Sequence, residues 1–216
     1  MRVMNIMLSK GQGGIEVAFA HYATALAHAE IETICCMAAG MHPATHISPT
    51  IPVTHIAHAS QFDPRSIWRA IQLIRIHTPE ILIVHGRRAF VIFALAKNIM
   101  RSKTPIVQIL HRPRFKNLRS AQHVITVSAA LRAQTIAHGL TPQQVTHIPN
   151  FLPDLKVSET HQSWRTPPVI GLLSRFVPVK GVDIFINALA ILKQRGLTPH
   201  VHIGGDGEDA ASLKQQ

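Results

Sequence analysis

The amino-acid sequence predicts an α/β protein whose first sheet is parallel and covered by helices on both faces. Apolar runs of strand length alternate along the 216 residues with stretches that have helical periodicity. The strand-like runs are continuously apolar, which is typical of strands buried on both faces. After a proline-rich stretch the same alternation begins again, and this predicts that a second α/β domain starts there.

The first domain is expected to span residues 1–150. Its predicted strands are 2–9, 31–37, 53–57, 81–84, 105–110, 123–127 and 145–148. Its predicted helices are 15–29, 64–77, 87–100 and 129–138. Asp63 before Pro64 predicts the start of the second helix, whereas Ser128 and Gly139 predict the two ends of the fourth.

Residues 151–167 combine prolines with mixed polar side chains and are predicted to form a linker. The second domain is expected over residues 168–216, with strands at 169–173 and 200–203 and a helix at 182–195. Two strands and one full helix cannot close a hydrophobic core of their own. We therefore expect this chain to contain only the start of an incomplete second domain.

The composition indicates a folded protein. Hydrophobic residues make up 46% of the chain and charged residues 15%, which a disordered chain would not show. The longest apolar run, residues 89–96, is far shorter than the roughly 20 residues of a membrane-spanning helix. The N-terminus lacks the features of a signal peptide, so a cytoplasmic location is expected. The adjacent Cys35 and Cys36 would form a strained disulfide, and we expect two buried thiols.

Positive charge is concentrated in one segment. The formal net charge is +11, and residues 81–153 contain ten basic residues and no acidic one. A surface of one sign attracts polyanions such as phospholipid headgroups, nucleic acid or a phosphorylated substrate. The charge alone leaves these classes of partner open, and solubility is a further explanation.

The loop between the first strand and the first helix, SKGQGGIEV, is rich in glycine. Gly13 and Gly14 would let backbone N–H groups approach an anion at the helix N-terminus. Lys10 and Glu16 flank them and are candidate cleft residues. The loop matches neither GxGxxG nor the nucleotide P-loop, so a tight turn with a solvated Lys10 is the other interpretation.

His85 and His111 stand at the ends of two predicted strands, the edge at which doubly wound sheets bind ligands. Their positions suggest polar groups that face a common crevice, although most of the fifteen histidines must be incidental. No cluster of histidine, cysteine or aspartate has the spacing of a metal site, and no serine nucleophile elbow is present.

Arg175 and Lys180 lie in the turn after the first strand of the second domain, and Gly181 opens the following helix. A planar guanidinium and a flexible ammonium group at this edge suit a diphosphate, which needs several donors. In an arbitrary loop, two such cations would simply be solvated.

In this order the motifs resemble those of the family 4 glycosyltransferases. The stretches GLLSRFVPVKGVDIFINALAIL and VHIGGDGEDAASL are similar to the family's G-R-L-x-x-x-K-G pattern, its apolar helix and the strand leading to G-D-G. The GGIE loop, the histidine-ended strand before Arg112, HVITVSAALRAQTIAHGL and VTHIPNFLPD match its N-terminal half in order. A departure is Phe151, where the family usually has glycine after asparagine. The resemblance covers essentially all of the chain.

The resemblance implies a GT-B fold, in which two Rossmann-like domains face a cleft, and a retaining, metal-independent transfer without a cofactor. The donor would be a nucleotide-sugar, and the acceptor a glycan or lipid-linked molecule of envelope polysaccharide or lipopolysaccharide biosynthesis. Arg175 and Lys180 would hold the donor diphosphate, and His111 would be a catalytic residue that contacts the transferred sugar. Gly13 and Gly14 would approach the donor phosphates or the acceptor.

Two further expectations concern activity and location. The family carries an E-x7-E motif farther along, and these 216 residues contain none, so we expect impaired or absent activity from this chain. A nucleotide-sugar epimerase of GT-B shape and a non-enzymatic polyanion-binding domain remain alternatives, with nucleic acid the less expected partner. A basic segment interleaved with apolar residues predicts peripheral binding to the inner face of the cytoplasmic membrane. Its cations are Arg112, Arg114, Lys116 and Arg119.

Overall fold

The structure, a computed structural model, describes residues 1–9, 11, 13–41, 47–57, 60, 62–151 and 167–216. The chain divides into two compact units, Met1–Leu155 and Lys156–Gln216. Apart from its two end residues, the predicted linker lies outside the described residues. Each unit is described below by itself.

The first unit contains a seven-stranded sheet in which every pairing is parallel. The strands are β1 (Arg2–Met7), β2 (Glu32–Ala38), β3 (Val53–Ile56), β4 (Ile81–His85), β5 (Ile106–Leu110), β6 (His123–Thr126) and β7 (Val145–His147). The helices are α1 (Gly14–His28), α2 (Pro64–His77), α3 (Arg87–Ile99) and α4 (Ala129–Ala137). The predicted parallel α/β fold is confirmed.

The strand order is β3-β2-β1-β4-β5-β6-β7. The chain adds β2 and β3 on one side of β1 and then adds β4 to β7 on its other side. The direction of winding reverses between β1 and β4. At such a switch point the connections leave the two strands on opposite faces, and a crevice opens at their carboxyl ends. Met7 and His85 are paired across these two strands at their last residues.

The core lies on both faces of the central strand β1. Met4 and Ile6 pack on the face that α2 and α3 cover, where Phe90 and Phe93 are fully buried. Met7 packs on the opposite face, which α1 covers with Phe19. Continuous burial along β1 explains why its sequence is apolar at nearly every position rather than at alternate ones.

The adjacent Cys35 and Cys36 are both free and buried, as the sequence predicts. They belong to hydrophobic clusters on opposite faces of β2. Burial raises the pKa of Cys35 to about 12 and raises that of Cys36 as well.

Local capping signals set the limits of two helices. The Asp63 carboxylate accepts a hydrogen bond from the N–H of Arg65, and Pro64 occupies the first turn of α2. The Ser128 hydroxyl accepts one from the N–H of Leu131 at the start of α4. No helix formed by the described residues is long and apolar enough to cross a bilayer.

The second unit begins with a βαβ arrangement. Strands β8 (Val169–Leu173) and β9 (His200–Gly204) pair in parallel, and α5 (Val182–Gln194) connects them; a short helix, α6 (Ala210–Leu213), follows. Phe176 and Val182 are buried in this unit, whereas Leu173 is 90% exposed and Ile184 69%. Apolar side chains on this sheet and helix are therefore largely uncovered by the described residues.

Candidate functional site

The loop after β1 starts at the switch point and holds a buried carboxylate. The Ser9 hydroxyl donates a 2.7 Å hydrogen bond to Oε1 of Glu16, and the N–H of Gly11 donates to the Ser9 oxygen at 3.2 Å. Glu16 lies in the first turn of α1 and is only 7% exposed. A carboxylate there also suits the positive end of the helix dipole. Lys10 lies outside the described residues.

The glycines of this loop differ in what requires them. A Cβ on Gly11 would lie 3.1 Å from Oε1 of Glu16, and one on Gly13 would lie 3.4 Å from its Oε2. A Cβ on Gly14 would meet nothing within 4 Å, and Gly14 does not have positive φ. Neither packing nor backbone conformation within the described residues requires glycine at position 14. No atom of the described residues therefore fills the space beside Gly14.

Asn5, His85 and His111 form a hydrogen-bonded row across β1, β4 and the end of β5. The Asn5 amide nitrogen donates to the Phe19 carbonyl at 3.0 Å, and the Asn5 amide oxygen lies 2.9 Å from Nε2 of His85. Nδ1 of His85 lies 3.2 Å from Nε2 of His111. Asn5 and His85 are buried, while His111 is half-buried. The two predicted strand-end histidines are thus in direct contact.

Two aromatic rings of α1 hold the His85 ring in place. Phe19 and Tyr22 both meet it edge to face, with ring centroids 5.5 and 5.3 Å away. The His85 and His111 rings are nearly parallel, at 23°, with centroids 5.4 Å apart. Combined with the 3.2 Å contact between ring nitrogens, this separation indicates rings joined edge to edge by a hydrogen bond rather than stacked face to face.

Both histidines are held neutral near pH 7. Burial, and secondarily the neighbouring His111, lower the pKa of His85 well below its ordinary value. Burial lowers the pKa of His111 to about 4, with Glu16 acting in the opposite direction and Arg112 adding to the decrease. Among the described residues, no group of three histidine, cysteine or carboxylate side chains could hold a metal ion.

Phe151, at the departure from the family's asparagine-glycine pattern, packs against α1. Its ring lies 5.8 Å from that of His21 and 5.7 Å from that of Tyr22, measured between centroids. Nδ1–H of His21 donates a 2.7 Å hydrogen bond to the Phe151 carbonyl. The aromatic residue therefore fixes the chain after β7 onto the helix that covers His85.

In the second unit, Arg175 and Lys180 lie in the loop that connects β8 to α5. Both are exposed, and neither side chain makes a hydrogen bond or ion pair with any residue that the structure describes. A short turn at Pro178–Lys180 folds this loop back before Gly181, which has φ of 63°. Two exposed cations are thus presented at the carboxyl end of a strand.

The G-D-G segment after β9 packs directly against this loop. The N–H of Phe176 donates to the Asp206 carbonyl at 2.8 Å, and the Phe176 carbonyl accepts from the N–H of Asp209 at 3.0 Å. A Cβ on Gly205 would collide with the Ser174 carbonyl, and one on Gly207 with the backbone of Phe176. These two glycines allow the two backbones to approach each other.

The basic segment of the first unit turns its apolar residues inwards. The Phe115 ring stacks on His138 at 3.8 Å between centroids, and Leu118 is buried. A Cβ on Gly139 would collide with the guanidinium of Arg119, so that cation packs on the end of α4. All four cations of the segment, Arg112, Arg114, Lys116 and Arg119, are exposed.

The outer face of α2, which the sequence does not single out, combines exposed arginines with exposed apolar residues. Trp68 is 61% exposed and Ile76 64%. Arg65, Arg69 and Arg75 are also exposed on this helix. An open groove of about 620 Å³ lies beside the first turns of α2, with Trp68, Arg69 and His55 among its lining residues.

The sequence model of glycosyltransferase family 4 matches residues 12–154. The chain belongs to glycosyltransferase family 4. It is accordingly a glycosyltransferase enzyme, as the order of its motifs predicts. Against curated proteins the sequence gives no significant match.

Solved structures support the GT-B fold of this family 4 chain. The apo form of WaaB, a lipopolysaccharide outer core galactosyltransferase, superposes with a TM-score of 0.66 at 13% identity, covering 100% of this chain and 71% of WaaB. HepE of Anabaena in complex with UDP gives 0.68 at 21% identity, covering 99% and 71%. A TarM variant of S. aureus, in complex with fondaparinux, alpha-GlcNAc-glycerol and UDP, gives 0.66 at 10%, covering 100% and 74%. Similarity at this level shows a shared fold.

Proposed function

We propose that this family 4 chain transfers a sugar from a nucleoside diphosphate sugar to a glycan or lipid-linked acceptor, with retention of anomeric configuration. The observation that supports the donor class is a pair of exposed cations, Arg175 and Lys180, at the carboxyl end of β8, whose side chains have no partner among the described residues. A diphosphate carries about two negative charges, and charge-assisted hydrogen bonds from both side chains would neutralise them. The same cations would stabilise the charge that develops on the departing nucleoside diphosphate. HepE, of the same fold, binds UDP and UDP-glucose.

His111 is the residue that we propose to contact the transferred sugar. It lies at the switch point with His85, and Glu16 is near enough to influence its pKa. Because burial keeps His111 neutral, it would meet a sugar hydroxyl as a hydrogen-bonding group without charge. Gly14 would leave space for donor or acceptor at the α1 N-terminus. An acceptor in lipopolysaccharide or envelope polysaccharide synthesis is proposed from the fold shared with WaaB.

The experiment that tests the donor class has two readouts. Binding of UDP is measured by calorimetry, and purified chain is then incubated with UDP-glucose, UDP-galactose or UDP-GlcNAc and analysed for UDP, free sugar and epimerised donor. Saturable binding that Arg175→Ala weakens would support the proposal. Donor epimerisation without transfer to any acceptor would favour the epimerase, and absence of UDP binding would contradict the donor site. Reduced activity of these 216 residues remains a prediction.

We also propose that the first unit binds the anionic inner face of the cytoplasmic membrane. The α2 face supports this better than the basic segment at 112–119, since it exposes Trp68 and Ile76 among three arginines. Tryptophan prefers the membrane–water interface, and each basic residue near an anionic surface adds about 1 kcal/mol. In the basic segment the apolar side chains pack on the protein, so its exposed cations would contribute charge alone.

Vesicle experiments separate these two surfaces. In a Trp164→Phe background Trp68 is the only tryptophan, and its emission should shift to the blue with vesicles that contain phosphatidylglycerol but not with pure phosphatidylcholine. Reversing Arg65, Arg69 and Arg75 to glutamate should abolish cosedimentation with the anionic vesicles. The matched reversal of Arg112, Arg114 and Lys116 should weaken it, and unchanged binding in both triple variants would refute the membrane proposal.

A further inference from the structure

We infer that Asn5 and His85 are positioning residues that hold His111 in one tautomer, with its proton on Nε2 and a lone pair on Nδ1. His111 then faces the substrate with a hydrogen-bond acceptor, which takes a hydrogen bond from a hydroxyl of the transferred sugar. The contact with sugar rests on the function proposed above, whereas the tautomer follows from the hydrogen bonds within the first unit.

The Phe19 carbonyl determines which group donates and which accepts in each hydrogen bond of the row Asn5, His85 and His111. A carbonyl can only accept, so the group of Asn5 that lies 3.0 Å from it must be the amide nitrogen. The Asn5 oxygen therefore faces His85, and Nε2 of His85 must carry a proton to donate across 2.9 Å. With the Asn5 amide turned over, two oxygens would face each other in a fully buried site, which costs free energy.

The tautomer of His85 in turn determines the tautomer of His111. A neutral imidazole has one N–H donor and one acceptor nitrogen, so a proton on Nε2 leaves a lone pair on Nδ1 of His85. The 3.2 Å contact with Nε2 of His111 is then a hydrogen bond that His111 donates. Complete burial between Phe19 and Tyr22 prevents His85 from turning or gaining a second proton at neutral pH.

These hydrogen bonds determine which nitrogen of the half-buried His111 is available to a ligand. Nε2 of His111 donates its hydrogen bond to His85. The other ring nitrogen, Nδ1, is therefore deprotonated. No described residue makes a hydrogen bond to that nitrogen. The charged and titratable groups around the ring are Glu16 from α1, the adjacent Arg112 and His85 from β4. An acceptor nitrogen at the switch point is matched by the many O–H donors of a sugar.

Nuclear magnetic resonance reads the tautomer without any assay of activity. Protein labelled with ¹⁵N-histidine is studied at pH 7 by two-bond ¹H–¹⁵N correlation, and the His111 signals are assigned by their loss in His111→Asn. We expect the protonated-nitrogen signal at Nε2 and the lone-pair signal at Nδ1. A proton on Nδ1, or an averaged mixture, would overturn the inference whatever the chain's activity.

Two substitutions of His85 test the positioning. In His85→Gln, the side-chain oxygen can accept from His111 while the nitrogen donates to Asn5, so the tautomer and turnover of UDP-glucose should be kept. In His85→Leu, the acceptor is lost, the His111 tautomers should mix, and kcat/KM should fall about tenfold. His123→Gln, a half-buried histidine on β6, is the control that should change neither readout.

The outcomes are distinguishable. A fixed Nε2 proton in the native chain with no turnover of any UDP-sugar would leave the positioning intact and contradict the proposed function. An unchanged His111 tautomer in His85→Leu would show that His85 does not set it. A mixed tautomer with unchanged kcat/KM would overturn the sugar contact. If His85→Leu does not fold, the native and His85→Gln spectra still decide whether the tautomer is fixed.

Discussion

The first strand-to-helix loop of each unit contains glycine and charged side chains, but the two are built in opposite ways. After β1, the charged group that the structure describes is Glu16, which is buried and accepts a hydrogen bond from Ser9. After β8, the charged groups are Arg175 and Lys180, which are exposed and have no side-chain partner among the described residues. The described carboxylate of the first loop is thus satisfied within its own unit, whereas the two cations of the second loop are left, within the described residues, to solvent or a ligand.

The glycines in or against these two loops also differ, in whether the packing of the chain requires them. Gly205 and Gly207, which pack against the β8–α5 loop, have positive φ and no room for a side chain. Gly14, close to the buried carboxylate of Glu16 in sequence, does not have positive φ, and a Cβ there would meet no described atom within 4 Å. Glycine is therefore required by the packing of the chain itself at one of these places, whereas at the other no described residue requires it.

The largest effect is expected where glycine is required by the backbone. Gly207→Ala would place a Cβ against the backbone of Phe176 and should destabilise the second unit by several kcal/mol, on the order of 3, because backbone atoms cannot move aside cheaply. Hydrogen exchange over residues 200–213 should rise, and UDP binding should be lost. Gly171→Ala on β8 is the matched control, since its Cβ would meet nothing within 4 Å. Equal stability of the two variants would contradict this account.

The next effect concerns the cations themselves. Arg175→Ala or Lys180→Ala should weaken UDP binding about 10–100-fold, because hydrogen bonds to charged groups contribute about 1.5–3 kcal/mol. The thermal midpoint should stay unchanged, since neither side chain is paired within the described residues. Calorimetric titration with UDP gives the affinity, and Lys193→Ala in α5 provides a control for the loss of one positive charge. Undiminished affinity in both cation variants would remove the proposed diphosphate site.

A smaller effect is expected at Gly14. Gly14→Ala should leave the free energy of unfolding unchanged or raise it by about 0.4–1 kcal/mol, because the unfolded chain loses freedom and the folded one gains no clash. Turnover of UDP-glucose should nevertheless fall, by about tenfold, if the space holds donor or acceptor. Urea unfolding and steady-state kinetics measure the two quantities. A less stable variant would show that glycine at position 14 has a structural role instead.

A further effect, on stability alone, is the dependence of the unfolding free energy on pH, which should be specific to the first unit. The pKa of His111 is about 4 in the folded protein against 6.5 for an ordinary histidine, so between these values the unfolded chain binds more protons. The unfolding free energy should therefore be fully present above pH 6.5 and decline as pH falls towards 4. His111→Gln should flatten this decline in urea titrations at several pH values. An identical slope in the variant would show that other groups cause it.

Most of the fold could be predicted because its signals are local. Asp63 and Pro64 mark the start of α2, and its predicted range of 64–77 is the observed one. The end of β1 could not be predicted so well, at Met7 rather than Ser9. A strand ends where its partners end, and Met7 is the last residue paired to both β2 and β4. That information lies in the strand order, which is not local.

The candidate site was predicted only in part. The strand-end positions of His85 and His111 follow from the sequence, but Asn5 does not stand out because it is a single polar residue within an apolar strand. Its significance depends on two partners, 14 and 80 residues away, that the fold brings to it. Likewise, whether Phe115 or Trp68 is exposed depends on packing, which neither charge nor periodicity shows.

The two adjacent free thiols of β2 have a practical consequence. Cys35 and Cys36 point to opposite faces of the sheet, and each is fully buried with a raised pKa. A thiol-modifying reagent can therefore reach Cys35 only when the α1 side of the sheet opens, and Cys36 only when the α2–α3 side opens. Labelling rates of single-cysteine variants would time the detachment of each helical layer separately. The two thiols therefore report separately on the opening of the two faces of the same sheet.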